Sequence, residues 1–169
     1  MSTFEYVFSA IKGQQAGREF YISMCPLKIV PKLFLFEADE VPAELRSQRV
    51  VNKSRIPEIS RYITTNRRNY IFSAITASID RQVTFEKLVI DGKEQDDIGR
   101  LRIPLDARFI LNDGQHRRAA IEEALKEQPD LGDETISVVF FIDKGLKHSQ
   151  QMFADLNKHA QRPSRSTGI

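Results

Sequence analysis

The apolar positions of this chain change period along its length. Phe20, Ile22 and Met24 alternate with Tyr21, Ser23 and Cys25, the two-residue repeat of a strand. Phe4 to Ile11 reads as its partner, and Gly13 to Gly17 as the turn between them, so an N-terminal β-hairpin is expected. Pro26 and Pro31 break the next stretch, and Leu33 to Phe36 reads as a short buried strand. The period then lengthens. Pro42 suits the first turn of a helix running to about Val50. Ile56, Ile59 and Ile63 form the stripe of a second helix beginning near Pro57, which leaves Arg55, Arg61, Arg67 and Arg68 at the surface. Tyr70 to Ile79 is rich in β-formers, with Ile71, Ile75 and Ile79 on one face. Val83 to Ile90 and Arg100 to Leu105 read as two further strands, joined by an acidic loop from Asp91 to Gly99. Arg108 to Asn112 is a strand feeding directly into a helix that ends before Pro129 and packs through Ile121, Ala124 and Leu125. Ile136 to Ile142, an unbroken apolar run, is the expected central strand. A last helix runs from about Leu146 to Ala160, packing through Met152, Phe153 and Leu156. This order predicts a mixed α/β (α+β) domain over 1–160 and a basic tail at 161–169 with almost nothing to bury.

Composition narrows the class. At 169 residues, 41% hydrophobic and 28% charged, the chain suits one soluble domain with a substantial core. No apolar run is long enough to span a bilayer, and Met1 to Glu5 lacks the basic start of a signal peptide. The single Cys25 excludes an internal disulfide and suits a reducing cytoplasm. The net charge of +2 hides an uneven distribution. Arg46, Arg49, Lys53, Arg55, Arg61, Arg67 and Arg68 share their stretch with one acid, Glu58. Acids collect at Glu94, Asp96 and Asp97 and at Glu122 and Glu123, whereas Lys158, Arg162 and Arg165 follow Asp155 with none between. Such segregation favours a polyanionic partner; solvated helix faces are the plainer account of the same charges.

The strand-to-helix junction carries the candidate chemistry. Asp113 is a suitable N-cap, Gly114 permits close backbone approach, and His116, Arg117 and Arg118 fall in the first helical turn. Free amides and the macrodipole make that turn positive, so cations there are unfavourable unless an anion docks on them. Asp113, Gly114, Gln115, His116 and Arg117 are the candidate anion-binding residues, against an ordinary junction with solvated arginines. Arg117 lies four residues before Ile121 and so points towards the core edge, where an anion pocket could sit, and not towards open solvent. His116 and Asp113 are the candidates for acid–base work, but the motif holds no serine or cysteine nucleophile, which favours a ligand role. His148 and His159 lack the spacing and the cysteine partners of a metal site, and no glycine run ends in the Lys-Ser/Thr of a P-loop.

Asp113 to Arg117 spell DGQHR, and the chain resembles the DGQHR-domain family, most closely its DndB-type DNA sulfur-modification (phosphorothioation) proteins. Gln48-Arg49, Arg55-Ile56-Pro57-Glu58-Ile59 and Arg61-Tyr62-Ile63 resemble the family's upstream helix. Phe153 to Ala160, followed by Arg162-Pro163-Ser164, resembles the downstream one. The resemblance implies a cytoplasmic DNA-binding protein that regulates transcription of the modification genes or assists the modification machinery. DNA, other sulfur-modification proteins and a second copy are the implied partners. Arg46, Arg49, Lys53, Arg55, Arg61, Arg67, Arg68 and Arg118 are the expected DNA contacts. Relatives are longer, so the chain is expected to be an N-terminal fragment or a short member. The family is in turn similar to the ParB/sulfiredoxin fold, a mixed sheet flanked by helices whose Gly-x-x-Arg turn binds nucleotide phosphates. There an asparagine on a downstream helix completes a phosphate and metal site. Asn157 stands in that place, with a helix C-cap as its structural alternative, but Leu156 replaces the preceding glutamate and His116 replaces another charged group. These departures count against hydrolysis and leave anion binding intact. Two other readings stay open. One is a nucleotide-binding or phosphoryl-transfer enzyme using Arg117, His116 and Asn157 with magnesium. The other is a protein-interaction module of a DNA-modification complex.

Overall fold

The computed structural model describes residues 4–34 and 52–158. Its first two strands, β1 (Glu5–Gln15) and β2 (Arg18–Pro26), form the expected hairpin. The turn is shorter than the glycines suggest. Ala16 and Gly17 alone make it, with φ of 51° and 76°, so Gly13 to Gln15 continue β1. Two positive φ angles in succession match the right-handed twist of the strands. β2 alternates as expected, but Tyr21, Ser23 and Cys25 are the buried set, while Met24 is 60% exposed. The Ser23 hydroxyl is satisfied by donating to the Ser9 carbonyl at 2.9 Å.

Next come α1 (Val30–Leu33) and α2 (Arg55–Thr65). The strand expected from Leu33 is not formed there: Leu33 closes a helical turn opened by Val30 and Pro31, where a missing amide costs nothing. The expected helix from Pro42 to Val50 lies outside the described residues. The long strand expected from Tyr70 reduces to β3 (Ile75–Ile79). Ile71 is 82% exposed, its amide held by the Tyr62 hydroxyl at 2.9 Å. β4 (Thr84–Ile90) and β5 (Lys93–Pro104) follow. The acidic loop is another tight hairpin turn, Asp91-Gly92 at φ 51° and 75°, which leaves Lys93 to Gly99 within β5. β6 (Phe109–Asp113) leads into α3 (Gln115–Glu127), then β7 (Thr135–Ile142) and α4 (Ser149–Lys158). Leu146 ends a short 3-10 turn at φ 60° instead of opening the last helix.

The strands form one seven-stranded mixed sheet in the order β4-β5-β1-β2-β7-β3-β6. Only β3 and β7 run parallel within it. β7 lies inside the sheet, which explains its apolar run. Phe34, Phe109 and Phe140 meet in the core, with ring centroids 5.9 to 6.4 Å apart. Ile63 of α2 and Ala120, Ile121 and Ala124 of α3 join the same core. Near α4, Met152 is half-buried, with its sulfur 3.9 Å from the Ser78 hydroxyl. Leu156, expected to pack, is 39% exposed.

Candidate functional site

β6 buries Phe109, Ile110 and Leu111 and delivers the chain to α3 through a single left-handed residue. That residue, Gly114 at φ 115°, is the N-cap. Asp113, expected to cap, is instead the last residue of β6, because the glycine takes up the change of direction. A Cβ on Gly114 would lie 2.9 Å from Ile75 Cγ1 and 3.3 Å from Arg117 Nη2. The junction is therefore packed as well as conformationally restricted. Beneath it, the fully buried Asn112 donates from Nδ2 to Ser78 Oγ at 2.7 Å, tying β6 to β3. Gln115 turns inward, and its Nε2 donates to the Leu111 carbonyl at 3.3 Å.

Arg117 points to the core edge, as its spacing from Ile121 suggests. Its Nη2 donates to the Ala74 carbonyl at 3.0 Å and to Asp113 Oδ2 at 3.3 Å. Its Nε is buried without an acceptor among the described residues. Arg118 departs from expectation. Its side chain is only 13% exposed, donating to Phe34 O at 2.7 Å, Pro31 O at 2.9 Å and Glu122 Oε2 at 2.8 Å. The reason is α1, whose final carbonyls lack helical partners and take up the guanidinium.

His116 faces the entrance of α2. Its Nε2 accepts the Asn52 amide at 2.9 Å. Burial, then Arg55 and then Arg117, hold the imidazole below its ordinary pKa. Arg55 belongs to a separate basic stretch in the sequence, yet folding brings its charge to the motif. The rest of that stretch divides. Lys53, Arg61 and Arg68 are exposed. Lys53 and Arg61 line a cleft of about 880 Å³ between α2 and α3, with Ser60, Thr64, Lys126 and Glu123. Arg67, expected to be available, is taken: it donates to Gln128 Oε1 at 2.8 Å and Glu134 Oε2 at 2.7 Å, and lies 3.2 Å from Asp130 Oδ2. Tyr70 donates to the other Glu134 oxygen at 2.6 Å. Arg46 and Arg49 lie outside the described residues, as does the side chain of Asn157 on α4.

Two members of the site do not follow from the sequence reading, Asn52 and the Ala74 carbonyl. Ala74 contributes only backbone and carries no side-chain signal. Asn52 is legible as a turn former: its Oδ1 accepts from the Ser54 amide at 3.1 Å and the Ser54 hydroxyl at 2.6 Å.

A mixed sheet that presents His116 and Arg117 on a glycine-hinged helix start, beside Arg55, defines an α/β protein with a cationic corner. The chain belongs to the DndB family: the family model described as DNA-sulfur modification-associated matches residues 8–169. That membership ties it to DNA sulfur modification. Neither a curated protein sequence nor a solved structure matches the chain. Among the described residues, no helix is long and apolar enough to cross a membrane.

Proposed function

We propose that this chain binds duplex DNA through the cationic corner and acts as a regulator of, or accessory to, phosphorothioate modification. The observation that carries the reading is that His116, at the start of α3, feels the charge of both Arg117 from its own helix and Arg55 from α2. Guanidinium charge, an imidazole and the first amides of a helix in one region suit an oxyanion, and in a DNA-modification family the natural oxyanion is a backbone phosphate. Lys53, Arg61 and Arg68, exposed on and beside α2, extend the cationic surface along a duplex. Such contacts position the protein without reading bases.

The test is titration of labelled duplexes at several salt concentrations. A steep fall of affinity with salt supports the reading. Tighter binding to DNA from upstream of the modification genes than to random duplex supports the regulator; equal binding supports the accessory role. Saturable nucleotide binding with magnesium and no duplex binding would move the site to the nucleotide-binding reading.

A further inference from the structure

His116 sits where its proton decides a structural contact. Its Nε2 accepts the Asn52 amide at 2.9 Å, so that nitrogen carries no proton while the contact exists. Asn52 also organises the entry to α2. Besides holding Ser54 through its side chain, it accepts the Arg55 amide on its carbonyl at 3.0 Å. One hydrogen bond thus joins the first turn of α3 to the segment that places Lys53 and Arg55. The charged groups bearing on the ring are Arg55 from α2 and Arg117 from its own helix, with Asp113 of β6 paired to Arg117. Burial, then Arg55 and then Arg117, hold the ring below its ordinary pKa in the free protein.

An arriving anion opposes the effect of the two arginines. It screens the arginines from the ring, which favours taking up a proton from solvent. Protonation turns Nε2 from acceptor to donor, so the Asn52 N–H and the imidazolium N–H face each other as two donors. A phosphate oxygen between them accepts from both. We propose that His116 is a proton-linked latch: as a DNA phosphate enters beside Arg55 and Arg117, the imidazole takes up a proton from solvent, its contact with the Asn52 amide breaks, and both N–H groups donate to the phosphate instead. This rests on the reading of the corner as a DNA-phosphate site.

The experiment measures duplex affinity of the full chain between about pH 5.5 and 8.5 at fixed ionic strength. Calorimetry in buffers of different ionisation enthalpy counts the protons taken up. The expected result is binding that tightens by up to about tenfold per pH unit as pH falls through the window, with up to one proton gained per site. His116→Gln, whose amide oxygen can still accept from Asn52, should lose that pH dependence and the proton uptake. The His116 ring is also followed by NMR in the free and DNA-bound protein, which keeps the test decisive if the variant does not fold. A bound pKa no higher than the free one overturns the latch, as does wild-type binding without proton uptake. Both outcomes leave DNA binding standing. No duplex binding at any pH overturns the phosphate site itself, and the latch with it.

Discussion

Arg118 reaches from α3 to the end of α1, where its Nε lies 2.7 Å from the Phe34 carbonyl. Its neighbour Arg117 turns to the opposite task, bracing the motif turn through the Ala74 carbonyl. The two arginines are adjacent in sequence and unlike in environment. Arg118→Ala should destabilise the fold by about 1.5–3 kcal/mol, since it strips two carbonyls of a charged donor. Arg117→Ala should weaken DNA binding more than Arg118→Ala does, once both are compared at a temperature where they are folded. Urea melts and duplex titrations of both variants check this; equal effects in both assays would show that the arginines do not divide these roles.

Gly114→Ala combines two penalties. The backbone at φ 115° strains any side chain, and the added methyl meets Ile75 Cγ1 at 2.9 Å. The expected loss is about 1–3 kcal/mol from backbone strain, before any clash is counted. A thermal melt unchanged from wild type would mean that the turn can relax without cost.

Tyr70, Arg67 and Glu134 form a clamp whose acid sensitivity has a definite sign. Hydrogen bonding from Tyr70, and then from Arg67, holds the Glu134 carboxyl below its ordinary pKa. Burial, reinforced by Glu134, pushes the Tyr70 hydroxyl up to about 12. The folded state therefore binds the Glu134 proton less readily than the unfolded chain. Its contribution is complete above the ordinary carboxylate pKa of about 4.3 and is lost as pH falls through the lower folded value. Tyr70→Phe should cost about 1–2 kcal/mol at neutral pH, towards the low end because Glu134 is partly solvated. The difference between the variant and wild type should shrink in acid, as read from urea midpoints at each pH.

His116 gives a second pH signature, independent of DNA. Its imidazole is held below the ordinary value by burial, then Arg55, then Arg117, so the unfolded chain takes up the proton first. Stability from the neutral ring is complete above about pH 6.5 and declines as pH drops towards the folded pKa. His116→Gln should flatten that part of the stability profile. A profile identical to wild type between about pH 5 and 7 would show that titration of the His116 ring does not set this part of the stability profile.

The exposed cations and the engaged one should separate in salt titrations. Replacing Lys53, Arg55, Arg61 and Arg68 with alanine should lower the log–log salt slope of DNA binding by about 0.9 for each phosphate that is no longer neutralised. Arg67→Ala should leave the slope unchanged, because that guanidinium already serves Gln128, Asp130 and Glu134. An unaltered slope in the fourfold variant, folded by circular dichroism, would place the DNA surface elsewhere.

Much of this protein is legible in local pattern. The alternation of β2, the stripe of Ile56, Ile59 and Ile63, the apolar run of β7 and the break before Pro129 are short-range signals, and each yields its element. The motif junction is legible for the same reason: a strand, a glycine and a helix follow one another within a short stretch, and Arg117 shares a face with Ile121. Hairpin turns depart from the sequence reading where turn chemistry overrides polarity. Asp91-Gly92 is a two-residue turn signal inside an acidic run, and the positive φ it permits outweighs the run's loop-like composition. What sequence does not supply is partnership at a distance. Arg118 is polar and sits on a helix, which reads as surface until α1 brings bare carbonyls to it. Arg67 belongs to a basic run until Glu134, sixty-seven residues on, takes it out of the available charge. Arg55 and His116 lie in separate segments, and only the packing of α2 against α3 makes them neighbours. Periodicity records which way a side chain faces its own element; hydrogen bonds and charge pairs depend on what the rest of the chain places opposite, and that is decided in three dimensions.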